Sequence, residues 1–309
     1  MAYVGIQSQI WRNNTKSVLL LLLFPTVIFA LVWLFIFFAV EQQPEQRIFY
    51  TNESFLQTIP WVALGVLIWF MTAYFFHTSM IEKATGSKPL ERNENKRVYN
   101  LVENLCIGSG MKTPQIFIIE DDSLNAFASG VDSSSFSVSL SRGIINKLND
   151  EELEAVIAHE LTHIRNRDVR LLIVSIIFVG IFAFLTEMLF RSFRFGGRKK
   201  DAKVLLIAAL LLAVVGYLLT SIFRFAISRK REYLADAGSA EMTRNPLALA
   251  SALEKIDRDS RIEAVERKDV AQLFIDNPQA KEKEDSFSLF SLFSTHPPIR
   301  KRIEILRSL

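Results

Sequence analysis

Four long apolar runs divide this chain. Ser17 to Val40 holds 24 residues without a charge, more than the roughly 20 that cross the hydrocarbon core of a bilayer. Phe55 to Phe76 forms the second run, with Trp61, Trp69 and Tyr74 suited to interfacial positions. The third, Leu171 to Thr186, is only 16 residues long before Glu187 interrupts it. Val204 to Phe223 is the fourth, with 20 uncharged residues. Pro25 falls within the first turns of the first run, where a kink is tolerable. That run is too long for a cleavable leader and no small-residue cleavage site follows it, so it is expected to remain as an anchor.

Other periods appear between the runs. Glu41 to Glu53 is polar and reads as a loop. Arg92 to Ile107 places Val98, Leu101, Val102 and Leu105 on one helical face. Pro114 opens a strand-like stretch, QIFIIE, and the Asp-, Ser-, Asn- and Gly-rich DDSLNAFASG at Asp121 to Gly130 reads as a loop. Ser135 to Ser141, SFSVSLS, alternates strictly, with Phe136, Val138 and Leu140 on one face and serines on the other. That pattern predicts a half-buried strand. It has two readings: an edge strand that pairs with an extended substrate, or a strand that only covers the core. Further on, Leu247 to Ile256 is helical in period, and THPPIRKRIEIL ends the chain as a proline-initiated helix. The highly charged Asp257 to Glu284 matches no motif.

Half of the 309 residues are apolar and 25 are phenylalanine. Together with the runs, this predicts an α-helical integral membrane protein with about four transmembrane helices. A net charge of +3 points to no nucleic-acid partner. Cys106 is the sole cysteine, which excludes an intramolecular disulfide and a cysteine-based zinc site, and its apolar neighbours make it a core residue.

The chemistry concentrates in Glu151 to Arg170, EELEAVIAHELTHIRNRDVR, where His159, Glu160 and His163 form His-Glu-x-x-His. Helix formers dominate its first half, and Asn149 or Asp150 can cap it. Residues four apart share a helical face, so His159 and His163 can direct two imidazoles at one ion. Glu160 is turned about 100° round the axis, placed to reach water beside the metal without being a ligand. The implied reaction is metal-assisted hydrolysis with Glu160 as base. A catalytic zinc site takes three protein ligands and keeps one position open. Glu232 and Asp236 in REYLAD, four apart on a predicted helix, suit a third ligand and an acceptor for a ligand imidazole N–H. Taken alone, the same spacing also describes a solvated pair.

Several of these stretches occur together in one known family. The helix H-E-L-T-H-I-R-N-R-D at His159 to Asp168 and the run S-R-K-R-E-Y-L-A-D-A at Ser228 to Ala237 resemble the HtpX-type membrane zinc metalloproteases, relatives of the CAAX prenyl endopeptidase. So do Asn125-Ala126-Phe127-Ala128 and the late Ser294-Thr295-His296-Pro297-Pro298 with Arg302. The resemblance implies a mainly α, zincin-type catalytic domain with a small β-sheet. It also implies one zinc ion per chain on His159, His163 and Glu232, with Glu160 as base and Asp236 behind the ligands. For His296 it suggests stabilisation of the tetrahedral oxyanion, against a plain surface histidine opening a helix. Asn166 and Asn125 either brace the site by hydrogen bonds or serve as a cap and a turn. The expected organisation is two membrane helices in residues 1–80, the first part of the catalytic domain in 81–168, a membrane hairpin in 169–227 and the second part in 228–309.

The resemblance implies misfolded or damaged membrane proteins as substrates, in proteolytic quality control tied to stress, at a bacterial inner membrane. One dedicated membrane or lipidated substrate is the alternative within enzymes. An ion-binding channel or transporter is the alternative outside them; it calls for ionisable groups in mid-span, where only Glu187 is offered, near an end. His163 lies eight residues before Leu171, about 12 Å along a helix, and Glu232 a similar distance after Arg224. The metal is therefore expected close to the bilayer, within reach of membrane-borne peptides. Neither the oligomeric state nor the natural substrate can be read from the chain.

Charge places the catalytic residues on the cytoplasmic side: Arg12 and Lys16 precede the first run, Lys83, Lys88, Arg92, Lys96 and Arg97 follow the second, and Arg229, Lys230 and Arg231 follow the fourth. That orientation exports Arg191 to Lys203, with six basic residues, against the same rule. Either the 169–227 hairpin crosses fully, which we favour, or it dips in and keeps its basic loop near anionic headgroups. With Gly197→Cys in a Cys106→Ala background, full crossing predicts labelling by a membrane-impermeant thiol reagent added to intact cells. Labelling only after the cytoplasmic face is opened would mean the hairpin does not cross.

Overall fold

The computed structural model describes residues 6–40, 42–174, 229–258 and 297–309, with scattered positions between 187 and 216. Two helices lead the chain, α1 (Ile6–Ala39) and α2 (Pro44–Thr85). Both are long and apolar enough to cross a membrane, and only 12% and 6% of their most apolar windows are buried. Low burial separates them from core helices, which hide their apolar surface within the protein. The third and fourth apolar runs, with the basic loop between them, fall almost wholly outside the described residues.

The expected loop at Glu41 to Glu53 shrinks to four residues. Pro44 occupies the first helical position and Glu45 the first turn, so the polar stretch continues as helix into the span. Across this short connection Trp33 donates its indole N–H to Asn52 at 2.8 Å, and the Arg47 guanidinium lies 5.6 Å from the centre of the Phe37 ring. Residues 16–76 and 174–225 form one compact unit, and residues 1–15, 77–173 and 226–309 form the other.

The second unit is mainly helical, with one four-stranded mixed sheet. Its strands are β1 (Lys88–Pro89), β2 (Gln115–Ile119), β3 (Ala126–Ser129) and β4 (Ser137–Ser141), in the order β1-β2-β4-β3. Its helices are α3 (Lys96–Ser109), α4 (Arg142–Lys147), α5 (Asp150–Arg165), α6 (Arg229–Thr243), α7 (Pro246–Arg258) and α8 (Ile299–Arg307). Val98, Val102 and Leu105 face inward on α3, as the periodicity predicts. Cys106 is buried beside them, and burial pushes its thiol up to about 11, an inert core residue.

Two expectations fail at the sheet. β4 is not an edge: it runs parallel to β2 on one side and antiparallel to β3 on the other. Its backbone is therefore used twice, and Val138 and Leu140 cannot belong to a substrate-pairing edge. Phe136 precedes the strand and stacks under the Arg167 guanidinium at 5.2 Å. The supposed loop at Asp121 to Gly130 contains β3, the terminal strand of the sheet among the described residues.

Register fixes which backbone groups of β3 face away from β4. Ser141 N–H donates to the Asn125 carbonyl at 3.0 Å, and the antiparallel pairs alternate from there. Asn125, Phe127 and Ser129 thus turn their peptide groups toward β4, while Ala126 and Ala128 turn theirs outward.

α5 is the element on which the unit closes, packed against α3, α6, α7 and β3. Asn149 caps it in a full capping box with Glu152. Glu152 itself is buried and takes hydrogen bonds from Lys255 and Ser251 of α7, each at 2.7 Å. On α6, Gly238 faces Thr162 so closely that a Cβ there would sit 2.4 Å from the threonine methyl. Next to it, the Ser239 hydroxyl donates to the Ala155 carbonyl at 2.6 Å. These contacts set the height of α6 against α5.

Candidate metal centre

His159 and His163 stand one turn apart on α5 with their Nε2 atoms 3.2 Å from each other. Glu232, in the first turn of α6, brings its carboxylate to 3.8 Å from His159 Nε2 and 3.6 Å from His163 Nε2. One atom from each residue lies within 4.8 Å of the others. Ligands on a tetrahedral zinc at 2.0–2.1 Å are separated by about 3.3 Å, so the three donors are spaced for one ion.

What stands behind each imidazole decides whether these nitrogens can bind. His159 Nδ1 is 3.1 Å from Asp236 Oδ1, and His163 Nδ1 is 3.1 Å from Asp168 Oδ2. A carboxylate there accepts the Nδ1–H and leaves the Nε2 lone pair to point inward. For His163 this contact is a hydrogen bond, and at His159 the Asp236 carboxylate stands at the same distance. Burial lowers the pKa of His163, but the Asp168 hydrogen bond and the charges of Glu232, Asp168 and Glu160 outweigh it and push it up to about 9. Such surroundings favour a positive charge, whether proton or metal ion.

The carboxylates are braced in turn. Asp236 is buried and receives two hydrogen bonds from Arg302 of α8, Nε to Oδ2 at 2.9 Å and Nη2 to Oδ1 at 2.7 Å. Burial alone would raise the Asp236 carboxyl; the guanidinium and the His159 ring overcome it and hold the group below its usual range. Arg302 Nη1 also stands 3.6 Å from Glu232 Oε2. Around Asp168, Asn13 of α1 donates to Oδ1 at 2.7 Å, and Arg231 Nε lies 3.6 Å away.

Glu160 is 2% exposed and reaches the sheet as well as the charges of the donor set. The Ala128 amide donates to its carboxylate. Burial raises the Glu160 carboxyl, the Glu232 charge adds to that, and the two imidazoles and the Ala128 amide pull against it.

The sequence-derived set is therefore brought together in large part: His159, His163, Glu232, Asp236 and Glu160 meet at one place. Asn166 closes α5 as its C-cap, and its backbone carbonyl accepts from Asn13 at 2.9 Å. The carboxylate on His163 is Asp168, delivered by a left-handed Arg167 at φ 61° that turns the chain back. Asn125 turns its side chain onto the Ala126 amide at 3.0 Å. His296 lies outside the described residues. Asp168, Arg302 and Asn13 had no role assigned from sequence; the first two stand within quoted motifs, whereas nothing near Asn13 marks it.

A helix bearing two histidines and a glutamate, closed by a carboxylate from a second helix, defines a metalloprotease, and the comparisons agree. The model of peptidase family M48 matches residues 92–309. A protein named Protease HtpX homolog from Bacteroides fragilis is 56% identical over 319 aligned residues, covering 99% of each chain. Another HtpX homolog, from Dictyoglomus turgidum, is 40% identical over 79% of this chain and 82% of its own. The crystal structure of S. mikatae Ste24p aligns over 96% of this chain and 66% of that one, with 19% identity and a TM-score of 0.47. The chain belongs to peptidase family M48, among its HtpX-type metalloproteases.

Arg302→Met keeps the bulk but strands the Asp236 carboxylate in the interior, at a cost of about 3–5 kcal/mol. The variant should unfold at lower temperature and retain less metal. Adding Asp236→Leu should restore much of the stability, since an apolar pair replaces an ion pair, without restoring metal retention. Full metal retention in the double variant would show that His159 needs no carboxylate behind it.

Proposed function

We propose that this protein is a membrane-embedded zinc endopeptidase that cleaves misfolded or damaged membrane proteins from the cytoplasmic side. The observation that carries the reading is a juxtaposition. Among the described residues β3 is the terminal strand of the sheet, its Ala128 amide lies one hydrogen bond from Glu160, and Glu160 lies between the two histidines on α5. An extended peptide laid along that edge offers its amide N–H groups to the outward carbonyls of Ala126 and Ala128. Its scissile bond then lies beside both the base and the donor set. Zinc held by His159, His163 and Glu232 would polarise the scissile carbonyl and acidify a water molecule. Glu160 takes a proton from that water as its oxygen adds to the carbonyl carbon, and returns a proton to the amide nitrogen as the C–N bond breaks. His296 is assigned to the developing oxyanion on the strength of its motif.

The cytoplasmic placement rests on the basic residues that flank the apolar runs, with the full four-helix crossing as the accompanying topology. Two of those residues also serve the fold. Arg97 donates to the Ile145 and Leu148 carbonyls, and Arg231 is buried beside Asp168. The remaining basic positions still favour the same side.

Glu160→Gln should bind one zinc per chain yet cleave at least about 100-fold more slowly, because the donors survive while the base is lost. Glu232→Ala should lose both zinc and activity. Metal analysis of purified variants beside peptide cleavage decides the point, and wild-type cleavage by Glu160→Gln would overturn the mechanism. Comparing membrane proteomes from cells with wild-type enzyme and with Glu160→Gln separates broad quality control from one dedicated substrate. The first gives many accumulated proteins; the second gives one.

The β3 edge is tested on the substrate. N-methylation of the amides flanking the scissile bond removes the donors that Ala126 and Ala128 accept, and cleavage should fall about tenfold or more for each lost backbone bond, the size of a hydrogen bond lost in a site. Cleavage that tolerates methylation at every flanking amide would remove β3 from substrate binding.

A further inference from the structure

One buried contact links the start of the first membrane helix to the metal site. Asn13 sits three residues before Lys16, which precedes the first apolar run, and it is 7% exposed. Its side-chain amide donates to Asp168 Oδ1 at 2.7 Å and to the Asn166 carbonyl at 2.9 Å. Asp168 presents its other oxygen to His163 Nδ1 at 3.1 Å. The chain of contacts runs Asn13, Asp168, His163, with the Nε2 of His163 facing His159.

Besides Asn13 and His163, one side chain approaches that carboxylate among the described residues: Arg231, with Nε at 3.6 Å from Oδ1, beyond hydrogen-bond reach. Asp168 lies past the end of α5, directly after the left-handed Arg167, where the chain re-enters helix. The Asn13 amide binds both the Asp168 side chain and the backbone two residues earlier. It therefore holds the turn and the carboxylate at once.

We propose that Asn13 is a positioning residue for the zinc ligand His163, acting through Asp168. The inference rests on the metalloprotease reading of the site. It places the first turns of α1 within the catalytic apparatus rather than in a tether. Partners behind metal-ligating histidines typically change metal affinity 10- to 100-fold when removed. Asn13 stands one bond further back, so the lower end of that range is expected.

The experiment measures zinc affinity by chelator competition on the full-length protein in detergent, together with the unfolding temperature of the zinc-free form. Asn13→Ala should weaken zinc binding about tenfold while leaving the zinc-free unfolding temperature near wild type. Asn13→Asp keeps the shape of the side chain but sets a second carboxylate against Asp168. It should bind zinc more weakly than Asn13→Ala, the reverse of what a space-filling role gives. Asp168→Ala should lose more affinity than Asn13→Ala, and adding Asn13→Ala to it should change nothing further, since the two act in series.

Additive losses in the double variant, or wild-type zinc affinity in Asn13→Asp, would overturn the proposal. So would a fall in zinc-free stability with zinc affinity intact. Failure of the wild-type protein to bind zinc would instead overturn the underlying metal reading, which keeps the two failures apart.

Discussion

The constraint from which this catalytic unit follows is that two imidazole nitrogens must both present lone pairs 3.2 Å apart in a buried place. Neither lone pair is available unless the opposite ring nitrogen carries the proton, and that proton needs an acceptor. Asp236 and Asp168 supply the acceptors, from a second helix and from just past the turn that ends the first. A buried carboxylate costs several kcal/mol unless it is paired, so each acceptor requires a further partner. Arg302 meets Asp236 from the last helix, and Asn13 meets Asp168 from the first. One requirement at the metal thus recruits four separated pieces of chain.

The same logic explains why α5 and α6 meet so closely. Both helices carry their functional residues four apart: His159 and His163 on one, Glu232 and Asp236 on the other. Four residues rise about 6 Å, so one ligand and one acceptor on α6 match the two histidines only at one relative height. Gly238 against Thr162 permits the approach, and the Ser239 bond to the Ala155 carbonyl fixes the height. At the other end, Glu152 locks α5 to α7 through Lys255 and Ser251. Its burial works against ionisation, and the lysine, the serine and the Asn149 amide reverse that and hold the carboxyl below its usual range.

Much of this arrangement was legible in the sequence, because it is local. The Asn149 cap, the i to i+4 histidines and the Glu-x-x-x-Asp spacing each express helical geometry within a few residues. The errors occur where distant chain decides. SFSVSLS alternates and predicts a solvated serine face, but Ser137 and Ser139 are each 2% exposed and Ser141 is fully buried. Serine hydroxyls find partners inside: Ser137 with Ser129 at 2.7 Å, Ser141 with the Ser123 carbonyl at 2.6 Å. A two-residue period cannot distinguish a face that meets water from one that meets hydroxyls. β3 was hidden for a related reason. Two of its four residues are alanine, a weak strand former, and only pairing with β4 makes the stretch extended. Asp168 depends on a left-handed arginine that nothing in the composition signals, and Asn13 on a contact across 153 residues.

The edge strand bears on what the proposed protease selects. Ala126 and Ala128 point only peptide groups outward, and peptide groups are common to every substrate. Recognition along β3 therefore asks for an extended backbone with free amides rather than for a particular side chain. In a folded protein those amides are already paired within helices and sheets, since buried ones left open are costly. A chain that has lost its fold exposes them. If substrate lies along β3 as proposed, an edge next to the base would discriminate by conformation, rejecting intact proteins without reading their sequences. That property suits clearance of damaged membrane proteins better than processing of one dedicated substrate, for which side-chain pockets would have to supply the choice.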